Sequence, residues 1–289
     1  MRRWLLALLV LLGFSSAAQA QVTDHYALLM VWMPGLCKLE PDRVECKDLT
    51  LRRFDGLNLA FMALQSARPA GASNTFCYTM IDDETLDRQR NWCDMYQPKI
   101  ANTLTLQLQT LMPVTRSCQD RGLWARYGSC TMYSADEYYS RAIKLAKSLN
   151  NTQLNSKIAA AVGTTAKQSE LLEAFKADFG DEKLNAVEFF CRKVDNEFHL
   201  LNVRVSVTAR ALTRGLAKES LWKPQSPLRR NCPERIVIDA PPVPIAESDK
   251  KSAPPAKPAP PPGEPAAPDA APVAPVETKP LEPKGPVVR

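Results

Sequence analysis

The sequence predicts an α+β fold: an antiparallel sheet packed with several helices, stapled by disulfides and followed by a disordered Pro-rich tail. Three observations lead there. Strand-like runs mark both ends of the region 21–240 and helical patterns gather in its middle, which argues against alternating βαβ units. All eight cysteines fall in that same region. The last 49 residues, 241–289, hold 16 prolines but no aromatic residue or cysteine, so they cannot bury enough apolar surface to offset their ordering entropy.

The elements follow in chain order. Tyr26–Trp32 is a continuous apolar run closed by Pro34-Gly35, as in a buried strand. Leu57–Leu64 is a second such run. Ala101–Leu111 reads as a helix that stops before Pro113. Ser134 followed three residues later by Glu137 is a capping box, and the helix it opens runs to about Leu149. Thr165 or Ser169 would cap the next helix, through Leu171, Leu172, Phe175 and Phe179 to Gly180. Val187–Cys191 and Phe198–Thr208 are two strands joined by the polar turn Lys193–Glu197, and in the second Leu201, Val203, Val205 and Val207 recur with period two. Arg235–Asp239 is a short closing strand.

Both ends of the chain carry other information. Arg2 and Arg3 precede an apolar run of 11 residues, Trp4–Phe14, and Ala18-Gln19-Ala20 fits a leader cleavage site. A membrane span needs about 20 apolar residues. Residues 1–20 are therefore read as a cleaved signal peptide, leaving no membrane span and placing the mature chain in the periplasm or outside the cell; an uncleaved anchor is the competing reading. Residues 21–240 form one folded domain. Six acidic and six basic residues cancel in the tail, which reads as an extended spacer or as a docking tail for an envelope protein.

An exported chain keeps disulfides. Cys37, Cys46, Cys77, Cys93, Cys118, Cys130, Cys191 and Cys232 make an even set, which implies four bridges. Short separation favours Cys37–Cys46, and Cys191–Cys232 would clamp the end of the domain. For the middle four the favoured pairs are Cys77–Cys93 and Cys118–Cys130. No C-x-x-C pair occurs and the only histidines are His25 and His199, so no metal and no cofactor are expected. Asp82-Asp83-Glu84 reads as a solvated loop or helix start. Phosphate-binding Gly-rich loops and the Gly-x-Ser-x-Gly elbow are absent from the sequence.

The parts together resemble the bacterial branch of the T2 ribonucleases. The resemblance spans most of Asp24–Asp239. It rests on the opening Tyr-x-Leu-x-x-x-Trp strand ending in Gly35-Leu36-Cys37, and on Met112-Pro113 ahead of Arg116-Ser117-Cys118. It rests also on Tyr127-Gly128-Ser129-Cys130, the Cys191 strand pair, Asn231-Cys232 and the closing Ile-Val-Ile-Asp. It implies a ribonuclease T2-like fold and, for the family, cleavage of single-stranded RNA through a 2′,3′-cyclic phosphate. Two imidazoles move the protons, while a Glu and a Lys stabilise the crowded phosphorus. The family carries these groups in the motifs H-G-L-W-P and E-x-x-K-H-G-x-C.

Here both motifs are altered. The first falls on Asn58–Met62, with Asn58 at the His position. The second falls on Leu123–Cys130, with Leu123, Arg126 and Tyr127 at the Glu, Lys and His positions. An amide exchanges no proton, and a phenol titrates near about 10, so neither replaces an imidazole at neutral pH. Each lost acid–base group typically costs about 10²- to 10⁴-fold in rate. His25 and His199 lie outside both motifs and read as ordinary surface or strand-end residues. The expectation is a catalytically impaired protein with a binding role. RNA would be held by Arg126 and stacked on Trp32, Phe61, Trp124 or Tyr127, unless these aromatics are core residues. Its alternatives are an active T2-type endoribonuclease with relocated chemistry, and an envelope interaction protein acting through its tail.

Overall fold

The structure, a computed structural model, describes residues 25–67, 75–224 and 231–242. The expected leader, residues 1–20, and the tail beyond Pro242 lie outside them.

The sheet grows around one long strand. β1 (His25–Val31) pairs antiparallel with β2 (Ala60–Ser66) on one side and with β5 (Glu197–Thr208) on the other. β4 (Val187–Val194) forms a hairpin with β5. Its turn residues Asp195 and Asn196 have φ of 48° and 68°, the left-handed pair that a tight hairpin with right-handed twist requires. Along its other edge β5 is shared. β1 takes Asn202–Thr208, while β6 (Arg235–Ile238) meets it in parallel at His199↔Val237. β6 in turn pairs with β3 (Thr164–Lys167).

Helices pack against the sheet. α5 (Ala135–Asn150) begins with the anticipated capping box and turns Tyr138, Ala142, Leu145, Ala146 and Leu149 inward, the 3–4 spacing of a buried stripe. These meet Leu28 and Met30 of β1 and the period-two valines of β5, Val203, Val205 and Val207, in one core. α3 (Asn102–Leu111), α6 (Gln153–Ala160), α7 (Gln168–Phe179) and α8 (Ala209–Arg214) extend it. No helix among the described residues is long and apolar enough to cross a membrane.

Three local expectations are corrected. Pro34 does not merely close the first strand; it occupies the first turn of α1 (Met33–Leu39), where a missing N–H costs nothing. Gly35 lets this helix lie against β5, since a Cβ there would stand 2.1 Å from Leu200 O. Neither Thr165 nor Ser169 caps α7: Thr165 pairs with Val237 in the sheet, Ser169 is inside the first turn bonded to Glu234, and the N-cap is Lys167. The bridges are Cys37–Cys46, Cys191–Cys232, Cys77–Cys130 and Cys93–Cys118. The first two are as expected, but the middle four form a nested set, Cys93–Cys118 inside Cys77–Cys130, rather than the two successive short loops expected. The reason is α4 (Gln119–Arg126), a helix the sequence reading lacks. It separates Cys118 from Cys130 by its full length and offers one to each side.

Candidate functional site

α4 brings the altered motif together. It starts at Cys118, whose φ of 59° turns the chain out of the Pro113–Ser117 helical turn. Its bridge to Cys93 draws the segment of α2 (Asp83–Arg88) and Trp92 against it. Beyond its end, the Gly128–Cys130 turn packs under Trp124: a Cβ on Gly128 would stand 2.3 Å from Trp124 Cε3. Gly128 is thus needed for close approach.

Between α4, α1, β2 and α2 lies a cleft of about 320 Å³. Leu123 and Arg126 line it from α4, Met62 from β2, and Leu36, Glu40, Arg43, Asp87, Arg88, Arg90 and Trp92 from the remaining walls. Leu123 is 6% exposed, so the residue expected at the family's Glu position contributes a mostly buried alkyl wall. Arg126 bonds Asp87 through Nη2, and Trp92 Nε1 donates to the other Asp87 oxygen at 2.8 Å. Burial opposes the charge on Arg126, but the Asp87 carboxylate and the Tyr127 hydroxyl outweigh it and hold its pKa above the usual arginine value. Its guanidinium carbon also lies 5.8 Å from the Phe76 ring centroid and 5.9 Å from that of Tyr127. Arg43 is anchored to the fully buried Glu45 and to Glu40, and Arg90 binds Glu40 at the rim.

The other motif positions are elsewhere. Asn58 is outside the cleft lining. Its Nδ2 donates to Phe54 O at 2.9 Å and its Oδ1 accepts from Asn155 Nδ2 at 2.9 Å, so it ties the entry to β2 onto α6. Trp32 and Phe61 are fully buried, and Trp32 Nε1 donates to Asp239 O. The stacking expectation is corrected for both: they are core residues. Trp124 is half-buried and its ring packs on Tyr138, edge to face, and on Tyr139, with centroids 5.3 Å and 5.9 Å away. Tyr127 is half-buried beside Arg126 and packs on the main core.

The histidines do not rebuild a proton-transfer pair. His25 pairs with Thr208, and His199 lies nine residues back along the same strand, about 30 Å away at ~3.3 Å per residue. His25 stacks on Trp222. His199 is not a surface residue: it is buried and its Nδ1 lies 2.9 Å and 3.0 Å from the two Asp239 oxygens. Burial raises the Asp239 pKa, although His199 pulls it down.

The sequence reading missed Asp87, Arg43, Arg90 and Trp92. Nothing in their spacing marks them; the signal that finds them is Cys93–Cys118, which carries Trp92 and α2 to the face of α4. Asp82-Asp83-Glu84 is the start of α2, with Asp83 accepting from Met80 N.

Comparison with known proteins places this geometry. The model of the Ribonuclease T2 family matches residues 23–215. Ribonuclease I of Escherichia coli is 24% identical over 235 residues, covering 75% of this chain and 86% of that protein. Ribonuclease MC1 from bitter gourd seeds superposes with a TM-score of 0.51 at 17% identity, covering 74% of this chain and 99% of its own. The Japanese pear S3-RNase does so with 0.50 at 16% identity, covering 74% and 98%. At such identities the two plant structures show a shared fold. A family match across two thirds of the chain, the α+β fold with four disulfides and the surviving Gly128-x-Cys130 turn agree: this chain belongs to the Ribonuclease T2 family.

Proposed function

We propose that this chain is an exported T2-family protein, periplasmic or secreted, that does not cleave RNA by the family's chemistry and retains a binding role. The observation that carries the reading is the composition of the cleft. Where acid–base chemistry needs groups that gain and lose protons near neutral pH, its walls offer alkyl groups, arginines and paired carboxylates, and neither histidine is among them. Four bridges closing a well-packed domain support a fold still under use and an oxidising compartment. Arg43, Arg88, Arg90 and Arg126 around one cleft favour an anionic partner, and single-stranded RNA is the one proposed.

Incubating the purified mature chain with poly-uridine and assaying 2′,3′-cyclic phosphate ends tests the catalytic half. No ends above the protein-free blank are expected. Turnover that disappears in Tyr127→Phe would overturn it. Titrating a labelled oligouridylate at several salt concentrations tests the partner. RNA held by phosphate contacts weakens steeply with salt, whereas a flat, signal-free titration leaves an envelope protein as the partner.

A further inference from the structure

We propose that Arg126 and the Trp92 indole N–H form an anion seat which the chain fills with its own Asp87 carboxylate, and that this contact governs entry of RNA phosphate groups into the cleft. The inference rests on the reading that the cleft keeps a binding role for RNA.

Asp87 is held as a bound oxyanion is held. One oxygen takes the guanidinium of Arg126 and the other takes the Trp92 N–H at 2.8 Å, donors from two different elements. The room comes from Gly122: a Cβ there would stand 2.5 Å from Asp87 Oδ1 and 2.7 Å from Trp92 Cδ1. The seat is fixed from both sides, because Cys93, next to Trp92, is bridged to Cys118, next to the start of α4. The Asp87 side chain is 6% exposed, whereas that of Arg126 is 37% exposed. The carboxylate therefore sits at the bottom of the seat, and the cation keeps an open side toward the cleft.

Charge decides the consequence. Asp87 cancels Arg126, and Glu40 and Glu45 engage Arg43 and Arg90, so the arginines of the inner cleft are already partnered. An incoming phosphodiester competes with a carboxylate tethered in place. A short tether gives an effective concentration of roughly millimolar or more, so a dilute external phosphate loses. Asp87 thus acts as a positioning residue for Arg126 and as an internal competitor for its ligand.

The test uses the full chain with its disulfides intact. The probes are fluorescein-labelled decauridylate, read by anisotropy, and inorganic phosphate, read as a rise in thermal midpoint over chloride at equal ionic strength. Asp87→Asn keeps an acceptor for Trp92 and removes the charge. It is expected to tighten decauridylate binding about tenfold and to steepen its salt slope by about 0.7, one added phosphate contact on a single strand. It also gains a phosphate-specific rise in midpoint. Adding Arg126→Gln cancels all three gains. Where Asp87→Asn folds poorly, Asp87→Ser, which also removes the charge, decides the matter by the same three gains. Equal decauridylate affinity for wild type and a folded Asp87→Asn overturns the gate and leaves the binding reading standing. Absence of binding in both proteins overturns the gate and the RNA partner together.

Discussion

Substituting Gly122 by Ala tests the docking of α2 on α4 directly, because two physical effects of opposite sign meet at one carbon. Position 122 is in the fourth residue of α4, where Ala in place of Gly favours the helix by about 1 kcal/mol. Against this, the new methyl would lie 2.5 Å from Asp87 Oδ1 and 2.7 Å from Trp92 Cδ1, both inside van der Waals contact. Neither neighbour yields freely: Trp92 and Asp87 hydrogen-bond each other, Asp87 binds Arg126, and Cys93–Cys118 pins the segment. Crowding of this kind costs roughly 1–3 kcal/mol. Pushing the Asp87 carboxylate off its donors leaves a buried acceptor short of partners, at a further ~1–3 kcal/mol. Taking the middle of each range and subtracting the helix gain leaves a net loss of about 3 kcal/mol. For a domain of this size that lowers the thermal midpoint by roughly 6–12 °C. The assay is thermal unfolding followed at 222 nm, with disulfides oxidised, beside the same substitution in an Asp87→Ser background. There the contact with the carboxylate is gone while that with Trp92 stays, so the loss should shrink in part, a coupling that only neighbours show. A Gly122→Ala protein as stable as wild type, or more stable by the helix gain, would refute the placement of α2 on this face.

Two further outcomes follow from single residues. Burial, opposed by Arg121, raises the Asp120 pKa from 3.8 to about 6. The folded state therefore binds the proton more tightly than the unfolded one, and this group's contribution to stability is fully present below about pH 4 and is lost as pH rises through about 6. Asp120→Asn should match wild type near pH 4 and exceed its stability by about 3 kcal/mol or less at pH 7–8 in urea unfolding; equal stability at both pH values would contradict the burial. Ser134→Ala removes the cap on α5, where Ser134 Oγ accepts from Glu137 N at 3.3 Å and Glu137 reaches back to Ser134 N at 3.2 Å. It should cost about 1 kcal/mol, or ~2–4 °C, by the same melt.

Much of the fold was legible in the sequence because local rules act there without competition. The capping box at Ser134, the alternating valines of β5 and the polar hairpin turn each carry their structure within a few residues. α4 was not legible. Its residues Gln119–Arg126 lack an apolar stripe and include a glycine, and the helix exists because Cys118, Cys130 and the Trp124–Tyr138–Tyr139 contacts hold it. α6 (Gln153–Ala160) and β3 (Thr164–Lys167) were missed for the same reason: each is short, and each is fixed by a distant partner.

By itself the sequence determined the family and the residue types that stand at positions 58, 123, 126 and 127. Residue identity is a chemical fact that no packing alters, and an amide at 58 or a phenol at 127 stays one wherever it points. Only the tertiary structure decided which residues meet. It joined Cys93 to Cys118, carried Asp87 and Trp92 onto Arg126, sent Asn58 toward α6 and buried Trp32 and Phe61 in the core. Those contacts span tens of residues, and chain pattern encodes burial by period but not the partner on the other side.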